Sequence, residues 1–87
     1  MVETRRAPRY RVSKRALIGS GKGAIQCIVR DLSTTGAAIE VENQTGIPDS
    51  FVIFVIEDDL HLSCRVMWRR DYRIGVVFDL EDPVLVQ

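Results

Sequence analysis

Apolar residues recur at every second position along most of this chain, and that period restricts the fold more than any other feature of the sequence. Ile25, Cys27 and Val29 alternate with Gln26 and Arg30. Leu62, Cys64, Val66 and Trp68 alternate with Ser63, Arg65 and Arg69, and Tyr72, Ile74, Val76 and Phe78 with Arg73 and Asp79. A period of two places alternate side chains on opposite faces of a strand, so each segment has one face for a core and one for water. Residues 12–18, residues 36–41 and the continuous apolar run 51–56 bring the set to about six strands. Turn-forming stretches separate them: GSGKG, NQTGIPDS and EDD. Residues 68–70 and 72–73 are expected to form a tight hairpin around Asp71. Helical spacing is nowhere sustained over the length of an ordinary helix.

Laid flat, six short strands would leave two hydrogen-bonding edges open, and closure removes both. The expected class is therefore all-β, a six-stranded antiparallel β-barrel with an extended N-terminal arm and little or no C-terminal helix. At 87 residues the chain holds one domain. It divides into an arginine-rich arm at 1–11, a barrel at 12–80 and a short tail at 81–87. Charge narrows the function. Lysine and arginine number 12 and aspartate and glutamate 12, so no global field draws the protein to nucleic acid or an anionic membrane. Any anion site must be local, and Arg5, Arg6, Arg9, Arg11, Lys14 and Arg15 crowd the beginning of the chain. The N-terminus has no apolar secretory stretch, and the run 51–56 is too short to span a bilayer, so a cytoplasmic protein is expected. Cys27 and Cys64 lack CxxC spacing and sit among alternating apolar residues, as reduced core cysteines do, with no metal implied.

Little here could carry catalysis. His61 is the single histidine, and beside an acidic turn it reads as a solvated strand residue, so no catalytic residue is assigned and the chain is not expected to be an enzyme. The arginines differ. RRAPRYR sets Arg5 and Arg9 four apart in a segment that Pro8 keeps out of a regular helix. Guanidinium groups there can fork onto phosphate oxygens, reach the O6 and N7 acceptors of guanine, or stack on a purine. By itself such an arm could equally be a solvated basic tail. Asp31-Leu32-Ser33-Thr34-Thr35-Gly36 follows where the second strand ends. A carboxylate at Asp31 can accept from the N1–H and N2–H groups of guanine. Ser33 offers a hydroxyl, and Gly36 permits a turn conformation or a close backbone approach. As a bare pattern this is an ordinary turn, with Asp and Ser satisfying local amides. Trp68 and Arg69 are weaker candidates, and Trp68, in phase with Leu62, Cys64 and Val66, is expected to pack in the core.

Taken together, the RxxxR arm (Arg5, Arg9) and the DxSxxG turn (Asp31, Ser33, Gly36) resemble the PilZ domain family of bacterial cyclic di-GMP receptors. VRDLSTTGAAIEV is similar to the family's second and third strands, and CRVMWRRDYRIGVVFD to its fifth and sixth. The resemblance implies a barrel with the arm wrapped over one face and cyclic di-GMP, the sole ligand and no other cofactor, clamped between them. Arg5 and Arg9 would contact guanine and phosphate, Asp31, Ser33 and Gly36 would hold the guanine edge, and Arg6 would be an accessory phosphate contact. The arm would become ordered on binding, and the changed surface would be recognised by a protein partner in motility, secretion or exopolysaccharide control. One departure is that EDPVLVQ leaves no room for the long C-terminal helix of many members. Two other readings remain: an interaction barrel that binds no nucleotide, and a barrel for single-stranded nucleic acid. The zero net charge and the core-like pattern of Phe51, Phe54 and Phe78 disfavour the second of these.

Overall fold

The computed structural model describes residues 8–19 and 21–79. Within them the strands are β1 (Tyr10–Ile18), β2 (Ile25–Leu32), β3 (Gly36–Glu40), β4 (Ser50–Val55), β5 (Leu60–Arg70) and β6 (Arg73–Phe78). Every neighbouring pair is antiparallel, and the sheet closes in the order β1-β2-β3-β6-β5-β4. The six-stranded all-β barrel expected from the alternation is therefore present, and a single 3-10 turn at Gly21–Gly23 is the only helical element among the described residues. No described helix is long and apolar enough to cross a membrane. Residues 1–7 of the arm and the tail at 81–87 lie outside the described residues, while Tyr10 and Arg11 already belong to β1.

The inward positions form one core. Ile39, Ile53, Ile74, Val29 and Val55 are its most completely buried side chains, joined by Ala16, Ile18, Val41, Ile47 and Val76. Burying each such aliphatic side chain contributes about 1.5–3 kcal/mol, which makes closure of the sheet favourable. Cys27 and Cys64 belong to this core as free thiols. Burial pushes both thiols up to about 12, with repulsion from Cys64 adding to the effect at Cys27, so both are protonated and uncharged at neutral pH.

The alternation is interrupted at three places, each a β-bulge with an extra residue on one strand. They lie between Arg11 and Lys14 on β1, between Val29 and Asp31 on β2, and between Val66 and Trp68 on β5. A bulge shifts the phase of everything beyond it. On β2 the inward series Cys27, Val29 would continue to Asp31, yet after the bulge Leu32 packs on the core and Asp31 faces out. On β5 the series Cys64, Val66 would continue to Trp68. After the bulge Trp68 is 42% exposed on the outer face, which corrects its expected place in the core. Phe54 also departs from the expected core pattern. Ile53 and Val55 on either side of it point inward, so Phe54 faces out and stacks on His61 with ring centroids 4.5 Å apart.

The hairpin at the foot of the barrel closes through Asp71 and Tyr72, with Arg70 paired to Arg73. It is tied to the loop between β3 and β4 by side chains. Arg69 donates to the Ile47 carbonyl at 3.0 Å, the Asp49 carboxylate at 2.8 Å and the Gln44 side-chain oxygen at 3.2 Å. Gln44 in turn donates to the carbonyls of Arg70, Asp71 and Arg73. Arg69 is thus committed to holding a loop.

Candidate functional site

The three bulges adjoin a single row of paired residues that crosses five strands: Arg11, Asp31, Ala38, Gly75 and Trp68. Directly paired residues share a face of the sheet, and here the outer one. Glycine and alanine at the middle of the row project little above the backbone of β3 and β6, so the row has a low floor between two walls. Asp31 and Trp68 stand three strand spacings apart, about 14 Å between backbones at roughly 4.8 Å per step. The indole then leans back over the floor. A methyl group built on Gly75 would lie 2.1 Å from the indole nitrogen and from a neighbouring ring carbon, so Gly75 is the space in which Trp68 rests. The guanidinium carbon of Arg70 is 6.0 Å from the Trp68 ring centroid, at the outer limit of a cation–π contact.

The turn between β2 and β3 forms the upper rim. Ser33 Oγ accepts from the backbone N–H of Thr35 at 3.2 Å and of Gly36 at 3.1 Å. Its hydroxyl also lies 3.2 Å from the Gly36 carbonyl and from Thr35 Oγ1. The Ser33 N–H donates to the Gly36 carbonyl at 2.9 Å, closing the turn. Ser33 is therefore occupied in shaping its own loop. Gly36 serves close approach between strands: a Cβ there would sit 2.3 Å from the Val76 carbonyl oxygen and 3.3 Å from the Val77 Cα. Both are backbone atoms, which a side-chain rotation cannot clear.

Among the described residues the Asp31 carboxylate accepts from no backbone amide of its turn, whose side-chain bonds are made by Ser33. Asp31 is half-buried, and among the described residues Arg73 is the cation within ion-pair distance, with 3.8 Å between Nη2 and the carboxylate oxygen. Arg73 lies on the outer face of β6 two residues before Gly75, so its side chain reaches back past Ala38. Arg11, paired with Asp31, and Arg9, just before β1, are both exposed on the same side. The carboxylate therefore sits among guanidinium groups, and an anion carrying a hydrogen-bond-donating edge would find partners for both.

A cleft of about 330 Å³ occupies this ground. It is lined by Arg9, Asp31, Ser33 and Gly36 together with Trp68 and Gly75. Of the residues singled out from the sequence, Arg9, Asp31, Ser33 and Gly36 meet here, and Arg5 and Arg6 lie outside the described residues. Trp68, read from its phase as core, forms a wall. Arg69 points elsewhere. A larger, open trough of about 1060 Å³ runs along β1 and β2 toward Tyr72, but it contains no residue of either motif. Arg73 and Gly75 carry no mark in the motifs. A glycine inside a strand is nonetheless a sign of close approach, and a carboxylate in phase with buried Cys27 and Val29 is a sign of a bulge.

A family model described as the PilZ domain matches residues 3–85, nearly the whole chain. No curated protein matches it.

Proposed function

The chain belongs to the PilZ domain family, in general a family of cyclic di-GMP-binding domains, and from that premise we propose that it is a cytoplasmic cyclic di-GMP receptor whose ligand lies between Asp31 and Trp68. The observation that carries this reading is that Arg9 of the arm and Asp31, Ser33 and Gly36 of the turn between β2 and β3, separated from it by the length of β1 and β2, line one cleft. Asp31 accepts from N1–H and N2–H of a guanine, a pair of donors that adenine does not offer. Trp68 supplies an aromatic face for the purine. Arg5 and Arg9 contact phosphate and guanine, with Arg6 as an accessory phosphate contact. Ser33 and Gly36 act through the turn, the first by fixing its amides and the second by letting β3 approach β6.

The cleft has room for a base and its phosphate, so the rest of a dinucleotide must be covered by the arm. Fixing each arm residue costs about 1–2 kcal/mol, and each charge-assisted hydrogen bond returns roughly 1.5–3 kcal/mol. Several contacts must therefore form together, and arm closure becomes all-or-none. The closed surface is what a partner in motility, secretion or exopolysaccharide control would recognise. The chemistry is binding and release, with no bond made or broken.

Calorimetric titration with cyclic di-GMP tests this on the wild type, Arg9→Ala and Asp31→Ala. Saturable binding is expected, weakened about 100-fold or more by Asp31→Ala because two charge-assisted hydrogen bonds are lost. Arg9→Ala should weaken it as well. A folded wild type that binds nothing would move the assignment to an interaction barrel. That second reading has its own support in Val52, Ile56 and Leu60, which are 39–43% exposed on the β4–β5 side of the barrel, away from the cleft.

A further inference from the structure

We infer that Arg73 is a specificity-determining residue for guanine, donating to O6 of the base whose N1–H and N2–H groups face Asp31. This rests on the receptor reading above and extends it to a residue outside both motifs. The Watson–Crick edge of guanine presents two donors and then an acceptor, and its natural complement is two acceptors beside a donor. Asp31 supplies the acceptors. The donor must stand next to the carboxylate, on the same face, and have hydrogens to spare.

Arg73 meets each requirement. Its Nη2 lies 3.8 Å from the Asp31 carboxylate, close enough for the pair to attract but longer than a hydrogen bond. Among the described residues its guanidinium makes no other ion pair or hydrogen bond. Its backbone is held: Arg73 pairs with Glu40 on β3, and its carbonyl accepts from Gln44 at 3.4 Å. The guanidinium therefore hangs from a fixed point and reaches Asp31 from the edge of the cleft, beside the residues that line it. Arg9 is less suited to the role. It precedes β1 on an exposed segment, whereas Arg73 stands on a paired strand in the free protein. Asp31 and Arg73 together then reproduce the edge of a cytosine.

The test is a cycle of two proteins and two ligands, read by calorimetry or by competition where binding is weak. The proteins are the wild type and Arg73→Met, which keeps the length of the side chain and removes its donors. Arg73→Gln serves as a second variant, and thermal melting verifies that each is folded. The ligands are cyclic di-GMP and the cyclic dinucleotide in which 2-aminopurine replaces guanine, which lacks O6 and the N1–H, keeps the 2-amino group and both phosphates, and binds either protein more weakly for want of one Asp31 hydrogen bond. Arg73→Met should weaken cyclic di-GMP binding by about 10- to 100-fold, as loss of one charge-assisted hydrogen bond implies, and 2-aminopurine binding by less than about threefold. Equal losses for both ligands, or no loss for cyclic di-GMP, would overturn the assignment of Arg73 while leaving the receptor reading in place. A folded wild type that binds neither ligand would overturn both.

Discussion

Two glycines at the site are there for different reasons, and substitution separates them. Gly36→Ala drives a methyl group to 2.3 Å from the Val76 carbonyl oxygen, so β3 and β6 must part. The expected cost is about 1–3 kcal/mol in chemical denaturation. In Gly75→Ala the atoms nearest the new methyl group belong to the indole of Trp68, a side chain 42% exposed that can swing away. It should lower stability less than Gly36→Ala does, because a side chain can move where backbone cannot, while Trp68 loses its seat and ligand affinity falls. The opposite ordering of the two stabilities would show that the floor of the cleft has been misjudged. At this scale the motif residues were legible in the sequence because their side chains name their chemistry. Ser33 was only half legible, since a hydroxyl that could contact ligand is spent on the amides of Thr35 and Gly36. Arg73 was not legible, because its meeting with Asp31 depends on two strands that pair with β3 from opposite sides.

Among the elements, the strands follow from period two, and the places where that period misleads are the bulges. Extending the phase of Leu62, Cys64 and Val66 to Trp68 sends the indole into the core, and one extra residue in β5 turns it out. The same device on β2 turns out Asp31, which the motif had already marked. Bulges of this kind commonly re-aim side chains next to functional sites, and both walls of this cleft are made that way. The hairpin between β5 and β6 was legible from its length, but its attachment to the β3–β4 loop was not, since Gln44 and Arg69 are 25 residues apart. Arg69→Ala removes three hydrogen bonds, one of them to the carbonyl of buried Ile47. It should lower stability by about 1–3 kcal/mol and speed amide exchange in the β3–β4 loop, with binding at the cleft changed little. A variant that keeps its stability and loses cyclic di-GMP binding would place Arg69 at the site instead.

For the whole molecule, a closed barrel gives a rigid frame on one side of which small outward residues leave a cleft, with basic residues beside it. Global neutrality conceals this arrangement, because 12 cationic residues balance 12 anionic ones along the chain while arginines gather around Asp31. The protein also carries its own reporter, since Trp68 is its single tryptophan and lines the cleft. Fluorescence of Trp68 during titration with cyclic di-GMP reads directly whether the nucleotide occupies the cleft. A purine stacked against the indole predicts a saturable change that is absent in Asp31→Ala and with cyclic di-AMP. Fluorescence unchanged at ligand concentrations where calorimetry shows saturation would place the nucleotide elsewhere on the barrel, away from Asp31 and Trp68.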